Sequence, residues 1–93
     1  MAFCTLLEWE GGFPFDRYQQ MNDRTASHQE LPQGCLSRIA GRADGGGATI
    51  IEVWQSSGDA QRFSEQHAHL LTEFDMPAPT RVAAFETSIF QAR

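Results

Sequence analysis

Asp44-Gly45-Gly46-Gly47, set between strand-like runs at residues 35–43 and 48–55, constrains the fold more than any other feature of the chain. Glycine adopts the positive φ angles of a tight turn at no steric cost, so the tract reads as the tip of an antiparallel hairpin. It is not a phosphate cradle, because such a loop leads from a strand into a helix and this one joins two strands.

The flanks of the hairpin extend the pattern. Residues 2–10, AFCTLLEWE, are rich in β-formers and close at Gly11-Gly12. In the following FPFDRYQQMNDRTASHQ, residues Phe15, Tyr18, Met21, Asn22 and Thr25 recur at helical spacing, with Pro14 fitting a first turn and His28 near the end, where a cation meets the helix dipole. Leu31-Pro32-Gln33-Gly34 ends that helix. After the hairpin, Ser56 and Asp59 have capping-box spacing. Ala60, Phe63, His67, Leu70, Leu71 and Phe74 then form an apolar stripe, and Pro77 and Pro79 stop it. Residues 80–90, TRVAAFETSIF, supply a last strand.

The order is β-α-β-β-α-β over one domain, residues 1–93. Right-handed crossovers turn that order into an α+β, ferredoxin-like sheet with strand order 4-1-3-2 and both helices on one face. The other face decides the assembly. In the first strand Phe3, Leu7 and Trp9 alternate with Cys4 and Leu6, and in the third Ile50 and Trp54 alternate with Ile51 and Val53. Both faces are apolar and the helices cover one, so a second sheet is expected on the other, as in a homodimeric α+β barrel. A partner also suits a chain of 93 residues, which buries little surface alone. Cys4 and Cys35 fall on strands separated by the third, which argues against a disulfide.

Composition excludes other classes. Net charge is −5, and the seven basic residues are scattered arginines, so no field suited to nucleic acid exists. The opening residues are apolar over too short a run for a signal peptide, and no stretch approaches the roughly 20 apolar residues of a membrane span. A soluble, cytoplasmic protein with reduced thiols is expected.

Among residues that carry chemistry, His67 lies on the apolar stripe, where leucine would pack better; it can exchange a proton near neutral pH, or serve as a rim histidine with one hydrogen bond. His69, about 200° further round an ideal helix, is expected to face solvent. The two diverge, whereas metal ligands on one helix sit three or four apart, so no metal is expected. Glu8 and Glu52 fall on the central strands, where a carboxylate is costly unless paired, for instance with Arg38, and where an unpaired one suits acid or base work. Trp54, Phe63, Phe13 and Phe85 are candidates for an aromatic substrate pocket or for plain core, and Tyr18 could orient a carbonyl or phenolic oxygen. Cys35 and Ser37 lack a His/Asp neighbour that would make a nucleophile.

At Ile51-Glu52-Val53-Trp54-Gln55-Ser56, followed by Phe63, the chain resembles the antibiotic biosynthesis monooxygenase-like group of the dimeric α+β barrel superfamily. The likeness runs from AFCTLLEW through the hairpin to VAAFETSIF. It implies one of that superfamily's activities: cofactor-free oxygenation of aromatic polyketides, polyketide cyclisation, haem degradation, or none known. The haem degraders carry Asn on the first strand and Trp on the second helix; Glu8 and Phe63 stand near those places and argue against that activity. The helix is also similar to that of a plant-type polyketide cyclase, whose catalytic histidine falls on His69 and whose tyrosine falls on Phe63. Periodicity therefore favours His67 and resemblance favours His69.

The leading expectation is a cofactor-independent enzyme of specialised, polyketide-like metabolism. One of the two histidines draws a proton from a hydrophobic carbonyl or phenolic substrate, and Tyr18 assists ring closure or isomerisation. A cofactor-independent monooxygenase on an aromatic substrate is the second expectation, and a non-catalytic small-molecule binding protein the third.

Overall fold

The computed structural model describes residues 2–25 and 31–88. The elements follow as β1 (Phe3–Trp9), α1 (Phe15–Thr25), β2 (Cys35–Ala43), β3 (Gly47–Trp54), α2 (Ser57–Glu73) and β4 (Arg81–Glu86). The strands form one antiparallel sheet in the order β2-β3-β1-β4, the ferredoxin-like order expected. His28 and the end of the expected fourth strand lie outside the described residues.

Local chemistry sets each boundary. The hairpin turns through one 3₁₀ turn, Asp44–Gly46, in which Gly45 has φ 77° and Gly46 has φ 83°. Gly47 is required for another reason: a Cβ there would collide with the Trp9 carbonyl oxygen where β3 passes β1. Ser56 caps α2 by accepting from the Asp59 backbone N–H at 3.2 Å, which contributes about 1 kcal/mol. Asp75, with φ 50°, reverses the chain after α2. The Thr80 N–H then donates to the Glu8 carbonyl at 2.6 Å and sets β4 on the edge of β1.

Register assigns every strand residue to a face. Leu7 opposes Ile50, Thr5 opposes Glu52, and Arg38 opposes Glu52 from the other side. These side chains share the face covered by α1 and α2. At the hairpin end Trp9, Phe13, Tyr18, Ala48 and Ile50 make a buried cluster, its rings 4.6 Å apart for Trp9–Phe13 and 5.4 Å for Phe13–Tyr18. At the other end Trp54, only 1% exposed, meets Phe63 of α2 at 5.3 Å.

Between these two aromatic anchors the helices stand off the sheet. The outer face carries Leu6, Ile51 and Val53, with Ile39 61% and Phe85 51% exposed. Cys4 and Cys35 are both free and buried. No helix among the described residues is long and apolar enough to cross a membrane.

Candidate active site

The gap between helices and sheet is a pocket of about 530 Å³, within the range for small-molecule sites. Trp9, Phe13, Ile50, Trp54 and Phe63 make most of its wall apolar. Among its polar lining residues, Tyr18, Asn22, Arg38 and Glu52 form a short connected chain, with Thr5, Ser64 and His67 elsewhere on the wall.

Arg38 is the centre of that chain. Its Nε donates to Glu52 Oε2 at 2.7 Å, and Nη2 reaches the same oxygen at 2.7 Å. Both side chains are 13% exposed, so water screens the pair little. Nη1 points to Asn22 Oδ1 at 3.5 Å, and Asn22 also hydrogen-bonds Tyr18. The guanidinium carbon lies 5.7 Å from the Phe63 ring centre, a cation–π distance.

Burial pushes the Tyr18 phenol above its ordinary pKa, and the Glu52 and Cys35 charges push the same way. The Asn22 hydrogen bond and the Arg38 charge act against them without reversing the shift. Tyr18 therefore stays a hydroxyl donor at neutral pH. Cys35 is raised as well, first by burial and then by Glu52, so its thiolate is scarce and it is a poor nucleophile.

His67 lines the pocket, half-buried, with its ring 4.3 Å from that of Phe63. Its Nδ1 is 2.9 Å from the Phe63 carbonyl oxygen, which can only accept. Nδ1 must then carry the proton, and Nε2 of the neutral ring is left as an open base. His69 is exposed and does not line the pocket, because α2 is a regular helix here and rotates it away.

The structure gathers His67, Tyr18, Glu52, Trp54, Phe63 and Phe13 around one space. Glu8 and Phe85 are not brought there. Strand alternation sends both to the outer face, where Glu8 pairs with Arg81 at 3.3 Å and Phe85 opposes Cys4. The expectation of a pocket position is corrected for those two residues, and His69 lies on the side that helical spacing, not the resemblance, favoured.

Sequence reasoning also passed over the segment Met76–Pro79, which lines the pocket and is held by the Trp9 indole N–H donating to the Pro77 carbonyl at 2.9 Å. Its prolines were legible as stops, and its apolar, extended composition was the missed signal. Among the described residues no group of three or more His, Cys, Asp or Glu side chains gathers as a metal site would require.

No protein-family model matches the sequence, and no curated protein is detectably similar to it. Solved structures do match in shape. A Chloroflexus aurantiacus protein provisionally assigned as an antibiotic biosynthesis monooxygenase superposes with a TM-score of 0.70 at 15% identity, covering 99% of this chain and 98% of the other. SnoaB, a cofactor-independent oxygenase from Streptomyces nogalater, gives a TM-score of 0.64 at 14% identity over 99% and 98%. The monooxygenase from the ActVA-Orf6 gene of Streptomyces coelicolor, in complex with Nanaomycin D, gives 0.63 at 13% over 99% and 92%. At such identities likeness establishes architecture alone, and the chain has the ferredoxin-like fold of the antibiotic biosynthesis monooxygenases.

Proposed function

We propose that this chain is a cofactor-independent oxygenase of hydrophobic phenolic or carbonyl compounds, working in the cytoplasm on polyketide-like substrates. The observation that carries the reading is His67, whose Nδ1 is committed to the Phe63 carbonyl, so that Nε2 is the open base in a largely apolar pocket. Nε2 draws a proton from carbon next to a carbonyl, and the substrate becomes an enolate. Arg38 and the Tyr18 hydroxyl supply donors for its oxygen. The carbanion form reacts with dioxygen to a hydroperoxide. Loss of water then leaves one oxygen atom as a new carbonyl and the other in the water. The fold neighbours that are oxygenases support this ending.

Ring closure or isomerisation from the same enolate is the second reading. It is favoured by Tyr18, which burial keeps protonated and able to protonate the product.

An oxygen electrode combined with product mass spectrometry tests both. Substrate-dependent oxygen uptake, with a product heavier by one oxygen and lighter by two hydrogens, is expected. A product lighter by one water, or of unchanged mass, without oxygen uptake transfers the chemistry to the cyclase or isomerase reading. His67→Ala is expected to lower turnover about 10²- to 10⁴-fold, the usual worth of a general base. His69→Ala should leave it unchanged. Full turnover in His67→Ala would sink the general-base role, and tight binding without any turnover would leave a binding protein.

The reading includes a homodimer formed through the outer face, where Ile39 and Phe85 are 61% and 51% exposed beside Leu6, Ile51 and Val53. Light scattering at micromolar concentration is expected to give twice the chain mass, with Phe85→Asp reverting to a monomer. A stable wild-type monomer would refute it.

A further inference from the structure

We propose that the pocket selects its substrate by charge, taking compounds whose polar group is a neutral oxygen acceptor and refusing both carboxylates and amines. This deepens the pocket reading above and rests on it. Arg38 and Glu52 are the lining groups that carry full charge at neutral pH among the described residues, and they cancel. An arginine alone in such a wall would mark a carboxylate or phosphate site. Here that demand is already met internally: Nε and Nη2 both donate to one Glu52 oxygen at 2.7 Å.

What remains is one hydrogen on Nη2 and two on Nη1; Nη1 meets Asn22 Oδ1 at 3.5 Å, too long for a strong bond, so the guanidinium retains capacity for another acceptor. A ketone or phenol oxygen can take it without adding charge. A carboxylate would bring a second anion against Glu52 in a space that screens poorly, and would either share the guanidinium or displace its partner. An ammonium would meet Arg38 with the same penalty.

The balance also suits the chemistry. When His67 takes a proton from a neutral substrate, imidazolium and enolate appear together and the pocket stays net neutral. A substrate that enters already ionised would leave an uncompensated charge beside the apolar wall.

Three probes with one ring system test the inference: methyl naphthyl ketone, naphthoate and naphthylmethylammonium, measured by equilibrium dialysis at pH 7. The wild type is expected to bind the ketone at least about tenfold more tightly than either ion, as a buried unpaired charge demands. Glu52→Gln, which frees Arg38, is expected to tighten naphthoate about tenfold relative to the ketone. Naphthoate binding as well as the ketone in wild type, or a ratio of ketone to naphthoate unmoved by Glu52→Gln, overturns charge selection and leaves the pocket reading intact. Binding of none of the three overturns both. Should Glu52→Gln fail to fold, the wild type still decides: an arginine-dominated pocket favours naphthoate over the ammonium, a glutamate-dominated one the reverse, and a balanced one neither.

Discussion

The sheet holds two arginine–glutamate pairs of the same design on opposite faces. Arg38 and Glu52 stand directly opposite each other across β2 and β3, and Arg81 and Glu8 across β4 and β1. The first pair lies under the helices, 2.7 Å apart with both side chains 13% exposed. The second lies on the outer face, 3.3 Å apart with exposures of 65% and 36%. Register brings both pairs together; burial makes them different things. Under the helices the pair is one end of a hydrogen-bonded chain through Asn22 to Tyr18, and its charges reach the titrating groups Tyr18 and Cys35. On the outer face Cys4 shares the strand with Glu8, and burial alone accounts for its raised pKa.

The sharpest way to break that contrast is to remove one partner from each face. Glu52→Leu leaves the Arg38 guanidinium buried and unpaired, which is expected to cost about 3–5 kcal/mol in urea denaturation. Replacing both partners, Arg38→Met with Glu52→Leu, should recover most of that loss, because an apolar pair of similar volume needs no hydrogen bonds. If Glu52→Leu cost no more than Glu8→Leu, burial would not be what separates the pairs.

How much of this could be read from sequence follows the same division. The glycine turn closes the hairpin at Ala43 and Gly47, and counting back five residues on each strand puts Arg38 against Glu52. The central pair of the pocket was therefore legible, as a consequence of the turn. The apolar stripe of α2 put His67 on the inner side by periodicity alone, against the resemblance that favoured His69. Glu8 was also legible, since two-residue spacing puts it on the face of Cys4 and Leu6, away from Leu7 and Trp9; its residue type alone pointed to the pocket. Phe85 was not legible. Its face depends on how β4 enters the sheet after Pro79, and the Thr80–Glu8 backbone hydrogen bond sets that phase. A sequence pattern shows alternation within a strand but not its phase against a neighbour reached through a loop.

A smaller effect sharpens the comparison through pH. Tyr18 holds its proton more tightly in the native protein than in the unfolded chain, chiefly through burial. Its contribution to stability is therefore complete below a pH of about 10, the ordinary phenol value, and is lost as pH rises through the higher native value. Cys4 and Cys35 are raised too, so they add a loss of the same sign, beginning at a lower pH. Urea midpoints between neutral and strongly alkaline pH should fall, and Tyr18→Phe should flatten the steep upper part of that fall. Glu52→Gln should also reduce the slope, because the Glu52 charge raises Tyr18 and Cys35 alike. An unchanged slope in Tyr18→Phe would mean that the phenol does not titrate against folding.

The smallest effect belongs to the outer pair and is the most direct check on why the two differ. Glu8→Gln keeps the size of the side chain and removes its charge, so Arg81 loses an ion-pair partner but stays in water. The expected cost is about 0–1 kcal/mol. Added salt should erase even that, since screening acts over about 3 Å at 1 M, the scale of the 3.3 Å contact. The same salt should leave the Glu52→Leu penalty largely in place, because ions do not enter beside a pair buried under two helices. Equal salt sensitivity at the two sites would mean that solvent reaches Arg38 as freely as Arg81, and the charge-balanced pocket would lose its physical basis.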